Sequence, residues 1–180
     1  MTKKALKLKA GTEKTKAAGG RIGMRKRINT ATDPYLLKEA YPDPSECKKC
    51  RAVFHKKKWI HADNAPKGAE ALEKKKVLCP ACLKIKEKYA EGFVTLQGEF
   101  LVEHKDEIIS LIRNKEDIAS RLNPLERVID IKTKKGTIEI TTTTEKLAER
   151  IGQILNKAYR GSVDYKWSSD TKLARVVWAR

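Results

Sequence analysis

Cys47-Lys48-Lys49-Cys50 and Cys79-Pro80-Ala81-Cys82 contain all four cysteines of this 180-residue chain, as two CxxC pairs with 28 residues between them. A tight turn at each pair can wrap its two sulfurs round a single ion. Four thiolates at about 2.3 Å are the usual shell of structural zinc. The alternatives are disulfides, a redox pair or an iron–sulfur cluster. A disulfide within CxxC is typical of redox folds, and the start Met1-Thr2-Lys3-Lys4 is followed by no apolar run of the secretory kind. A cytosolic, cytoplasmic protein is therefore expected, with structural Zn²⁺ on Cys47, Cys50, Cys79 and Cys82. A site closed by four protein ligands has no open position, so its metal folds the chain instead of doing chemistry. Lys48, Lys49 and Arg51 stand where their charge offsets the excess negative charge of four thiolates.

Around this core, residues 47–91 are expected to form a zinc ribbon of treble-clef-like design. A first knuckle leads into a β-hairpin, Ala52 to His55 and Trp59 to His61, turning at Lys56–Lys58. Ala69–Lys76 is expected as a short basic helix, and a second helix should run from the second knuckle through Leu83–Tyr89. His55 and His61 are expected at the surface or behind the ligands, since four cysteines already satisfy a zinc ion. Phe54, Trp59 and Tyr89 suit either the small core of such a module or stacking on unpaired bases, with Trp59 the best placed for stacking.

Charge divides the chain. Residues 1–30 carry +9, residues 31–46 carry −3, residues 47–88 carry +9 and residues 89–180 only +2. A basic excess confined to the N-terminal half points to a polyanionic partner, and nucleic acid is the expected one because each phosphate contact releases counterions. An anionic membrane is the rival, but residues 1–30 lack a sustained apolar face and no stretch approaches the ~20 apolar residues of a span. Residues 1–30 read as a disordered basic arm, and 31–46, with three X-Pro turns, as a linker. The expected phosphate contacts are Arg21, Arg25, Lys26 and Arg27 of the arm, with Lys48, Lys49, Arg51, Lys56, Lys57, Lys58, Trp59, Lys74, Lys75, Lys76 and Lys84 of the ribbon.

Residues 92–180 change character. Phe93–Leu96 reads as a strand, and Phe100 to Arg113, extending toward Leu122, as an amphipathic helix. Leu125–Lys132 and Thr137–Thr141 read as strands joined by Lys134-Lys135-Gly136. Thr142 with Glu145 reads as a capping box opening a helix through Leu147, Ile151, Leu155 and Tyr159, and two strands follow. The expected fold class is α+β: a zinc ribbon followed by a ferredoxin-like βαββαβ domain with an extra C-terminal strand.

Cys79-Pro80-Ala81-Cys82, a helix to Tyr89, then Gly92-Phe93-Val94-Thr95-Leu96-Gln97-Gly98 and Leu147-Ala148-x-x-Ile151-Gly152 carry a resemblance. Over roughly Cys47 to Trp167 the chain resembles the large-ribosomal-subunit export adaptor family named historically for nonsense-mediated decay. It is also similar to short bacterial zinc-ribbon proteins. The resemblance implies a ribosome-bound accessory role. The adaptor family's further CxxC pairs and later β-rich domains have no counterpart here, so an export function does not transfer.

Catalysis needs a nucleophile, a base or an open metal in a pocket. The three histidines, His55, His61 and His104, are scattered, and Glu103, Asp106 and Glu107 sit where a helix start favours acids. No enzyme is expected. The expected function is a zinc-binding RNA- or ribosome-associated protein meeting ribosomal RNA or the large subunit. A DNA-binding, transcription-associated protein and a protein–protein adaptor are the alternatives, and the sequence leaves the oligomeric state open.

Overall fold

The computed structural model describes Tyr35 and residues 41–65, 73–168 and 171–180. The arm residues Arg21, Arg25, Lys26 and Arg27 lie outside the described residues. No helix among those described is long and apolar enough to cross a membrane.

Two sheets organise the described chain. In the smaller, β1 (Ser45–Cys47) is flanked by β2 (Val53–His55) and β4 (Lys75–Val77), with β3 (Lys58–Ile60) outside β2. β1, β2 and β3 are antiparallel neighbours, whereas β4 runs parallel to β1. Lys75 and Lys76, expected in a helix, lie in this strand instead. The Lys75 N–H bonds the Pro44 carbonyl at 3.2 Å, and the Lys76 ammonium meets the Glu46 carboxylate at 2.8 Å, so pairing with β1 overrides local propensity. The ordered module also begins before Cys47. Tyr41, in the expected linker, packs its ring 5.4 Å from Phe54 and 5.1 Å from Trp59. Helix α1 (Pro80–Glu87) follows the second cysteine pair.

The larger sheet has the order β6-β7-β5-β9-β8, built from β5 (Gly92–Gln97), β6 (Val128–Lys134), β7 (Thr137–Thr142), β8 (Ser162–Trp167) and β9 (Ala174–Ala179). Helices α2 (Phe100–Leu122) and α3 (Glu145–Tyr159) share a core on one face. Val94 and Leu96 of β5, Ile138 and Ile140 of β7, and Val176 and Trp178 of β9 point into it. On α3 the buried positions Leu147, Ala148, Ile151, Gly152 and Leu155 form the stripe expected of a helix laid on a sheet. The apolar gap between Leu101 and Ile108 on α2 coincides with an irregular turn at His104. The capping residue of α3 is Thr144, whose hydroxyl accepts from the Leu147 N–H; Thr142 still belongs to β7 and donates to the Thr144 carbonyl.

The strand order departs from the ferredoxin-like expectation. In that arrangement the last strand of βαββαβ lies beside the first. Here β9 pairs with β5, in parallel, and β8 is displaced to the edge. The crossover from β7 through α3 to β8 therefore spans two strands, and the C-terminal strand fills the gap. Side-chain alternation explains the exchange. Ala174, Val176 and Trp178 of β9 are buried, whereas β8 exposes Ser162, Asp164 and Lys166 and suits an edge.

The two sheets are joined at α1. Lys84 on α1 is buried and paired with buried Glu91 at the start of β5. Leu125 packs against the cysteine cluster, and the Asn64 amide donates to the Arg121 carbonyl at the end of α2 at 2.9 Å.

Gly152 lets α3 lie close on β8 and β9: a Cβ there would come 2.7 Å from Val176 Cγ1 and 3.0 Å from the Tyr165 hydroxyl. Helix propensity alone favours Gly152→Ala by ~1 kcal/mol. Overpacking opposes it by ~1–3 kcal/mol. The expected net outcome is destabilisation, read as a lower midpoint in chemical denaturation; a raised midpoint would contradict this packing.

Candidate metal centre

The local sequence builds each half of the centre differently. At the first knuckle the Arg51 N–H turns back to the Cys47 carbonyl at 3.0 Å, and the Cys47 N–H bonds the Ala52 carbonyl at 2.8 Å. At the second, Cys79 caps α1: its sulfur accepts from the Cys82 N–H at 3.4 Å, and Pro80 occupies the first helical turn, where a missing N–H costs nothing. The Cys79 N–H in turn points at the Cys47 sulfur at 3.4 Å.

The Sγ atoms of Cys47, Cys50, Cys79 and Cys82 all lie within 4.8 Å of one another. Those of Cys50 and Cys79 are 3.6 Å apart. Metal–sulfur bonds of ~2.3 Å set the edge of a tetrahedron at about 3.8 Å, so the cluster has the right size to hold one metal ion. Three of the cysteines are buried and Cys50 is half-buried. No disulfide joins them. The two knuckles, expected from spacing alone, thus come together.

Electrostatics within the cluster follow from crowding. Hydrogen bonds from Cys79 and Cys82 hold the Cys50 thiol far below its ordinary range, while their bonding to Cys50 and burial push Cys79 up, and Cys82 up to about 12. One thiolate is favoured and further negative charge is resisted, which is the charge state a cation must reverse. Tyr41 adds a second sign of the same field. Its hydroxyl is buried and makes no hydrogen bond among the described residues. Burial pushes its pKa up, and negative charge on Cys79 or Cys47, where either is ionised, pushes it further.

The histidines lie away from this role. His55 bonds Asp43 at 2.9 Å, and His61 caps a short 3₁₀ turn (Ala62–Asn64) through the Asp63 N–H. Trp59, expected as the best stacking candidate, is half-buried, with part of its ring packed against Tyr41, Phe54 and the cysteine cluster. Lys84 is a correction. Its ammonium is consumed by Glu91, so it cannot face a phosphate. The remaining described candidates, Lys48, Lys49, Arg51, Lys56, Lys57, Lys58, Lys75 and Lys76, are exposed, with Lys74 half-exposed. Asp43 and Tyr41 escaped the sequence reading because nothing local to Tyr41-Pro42-Asp43-Pro44 signals contacts to residues beyond the first knuckle.

A cleft of about 550 Å³ lies between α1 and the outer face of the larger sheet, lined by Ile85, Lys88, Phe93, Ile129, Asp130 and Glu139 among others. Its carboxylates are engaged with lysines: Asp130 with Lys132 at 3.9 Å and Glu139 with Lys134 at 2.8 Å.

Ordinary thiols keep their protons near neutrality, so metal binding to these four must displace protons, and affinity rises with pH. Competition against a chromophoric chelator from about pH 6 to about pH 8 should show ~2 or more protons released per metal. One metal per chain is expected by mass spectrometry, lost in Cys82→Ser. An affinity independent of pH would exclude thiolate ligation.

Comparison of the chain with protein-family models, with curated proteins and with solved structures finds no match.

Proposed function

We propose that this chain is a non-enzymatic, zinc-dependent accessory protein that binds structured RNA, with the large ribosomal subunit as its expected partner in the cytoplasm. Zinc is the ion that four thiolates and no other ligand suit best. The small sheet with α1 is read as a treble-clef-like zinc ribbon, and the larger sheet as a rearranged relative of the ferredoxin-like fold. One observation carries the reading. The exposed Lys48, Lys49, Arg51, Lys56, Lys57, Lys58, Lys75 and Lys76 crowd one small module, while Glu46 is the carboxylate that pairs with two of them, Arg51 and Lys76. Such a surface repels itself until an array of phosphates meets it. The metal would hold the hairpin and knuckles that display these cations, and the basic residues 1–30 would add contacts to the same polyanion. Duplex DNA offers the same phosphates, and competition between it and ribosomal RNA separates the two.

A protein-docking role is the second reading. It is supported by α2, which exposes Val102, Ile118 and Leu122, at 71%, 50% and 79%. Binding through those side chains would survive high salt.

Two measurements test the first reading. On sucrose gradients the protein should travel with the large subunit at low salt and leave it at high salt. In solution, log K for RNA should fall linearly with log salt, and removing residues 1–30 should make the slope shallower. A protein that remains at the top of the gradient at low salt would sink the ribosomal assignment, and an unchanged slope would remove the arm from it.

A further inference from the structure

Every described residue other than glycine with a positive φ is a cation: Arg51 (63°), Lys56 (48°), Lys57 (63°), Lys88 (55°) and Arg160 (60°). Side chains with a Cβ are crowded in the left-handed region, where glycine and asparagine are the usual occupants. Three of the five have a local account. The Arg51 N–H closes the first knuckle and its guanidinium lies 3.7 Å from Glu46. Lys88 ends α1, where a cation complements the helix dipole. The Arg160 carbonyl receives the Trp178 indole N–H at 2.8 Å.

Lys56 and Lys57 have no such account. They are the two central residues of the β2–β3 hairpin, between paired His55 and Lys58. A two-residue hairpin turn with both residues left-handed strongly prefers Asn-Gly. Instead the chain places two lysines there and a third beside them. All three are exposed, and none of their ammonium groups makes an ion pair or hydrogen bond among the described residues.

Contacts from elsewhere in the fold reach this tip. Asp43, reaching across from before β1, accepts the Lys56 N–H at 2.8 Å with one oxygen and contacts His55 Nδ1 at 2.9 Å with the other. Both oxygens of Asp43 thus engage backbone and imidazole, and no lysine ammonium of the tip forms a direct ion pair with it among the described residues. Beneath the hairpin, Tyr41, Phe54 and Trp59 pack on one another. The result is a tip with two non-glycine residues in the left-handed region and three exposed lysines in a row, and backbone strain of this kind clusters at functional sites.

We infer that Lys56-Lys57-Lys58 is a preformed tip that contacts consecutive phosphates of the RNA backbone, and that the left-handed lysines persist for that contact. The inference rests on the RNA-binding reading and names where its contact falls. The test uses the full-length, zinc-loaded protein and a fluorescein-labelled RNA stem-loop, titrated at several salt concentrations. The double variant Lys56→Asn/Lys57→Gly installs the preferred turn. It should raise Tm by at least ~2 °C. It should also weaken RNA binding ~10-fold or more and make the log K–log salt slope shallower by ~1.4–1.8, at ~0.7–0.9 per phosphate contact. A charge-matched control, Lys134→Gln/Lys135→Gln at the β6–β7 turn, should change affinity less than about twofold. Unchanged binding by the Asn-Gly variant, equal losses in both variants, or a lowered Tm would each overturn the inference while leaving RNA binding in place. Failure of the unaltered protein to bind the RNA would overturn both.

Discussion

Four sulfurs brought within 4.8 Å of one another are the constraint from which the N-terminal module follows. They come from knuckles separated by 28 residues. Three-residue strands such as β1, β2 and β4 are too short to hold themselves together, and a module of this size buries too little apolar surface to compensate. A cation bound at the cluster would close the long loop and offset the charge of the thiolates in one step, which would make metal affinity part of the folding free energy. The remaining core is thin. It consists of the aromatic trio Tyr41, Phe54 and Trp59, with Leu78 and Leu125 against the sulfurs.

The module's charge is sorted by that architecture. One lysine, Lys84, is drawn inside and neutralised by Glu91, where α1 meets the larger sheet. Removing either partner alone would strand a buried charge, at a cost of ~3–5 kcal/mol, so this pair fixes how the two sheets meet. The module's other described lysines are exposed or half-exposed. Glu116 and Glu126 do similar work in the larger domain. Glu116 accepts the Val128 N–H at 2.8 Å, and Glu126 pairs with Arg150, tying the end of α2 to β6 and α3.

Within the larger sheet, the C-terminal strand takes a central position. Leu96 pairs with Trp178 and Val94 with Val176 across a parallel ladder whose strands are some eighty residues apart in sequence. Pairing between strands so far apart in sequence makes for slow folding. It also leaves β6 and β8, both rich in outward-facing charge, to guard the edges.

Much of this was legible in the residues themselves. The paired CxxC spacing announced a four-sulfur site, period-3.6 stripes placed α2 and α3, and alternation marked β5, β7 and β8, because these signals depend only on near neighbours. What local pattern could not reveal is which distant groups meet. Whether Lys75-Lys76-Val77 forms helix or strand was decided by an open edge on β1. That β9 displaces β8 from the side of β5 depended on the relative burial of two strands. The roles of Tyr41, Asp43 and Glu91 came from contacts across many residues, as did the withdrawal of Lys84 from the surface. The sequence by itself determined the four-sulfur cluster, most of the elements and the charge of this protein. Only the tertiary structure decided which lysines remain available to a partner, because burial and pairing are properties of packed surfaces.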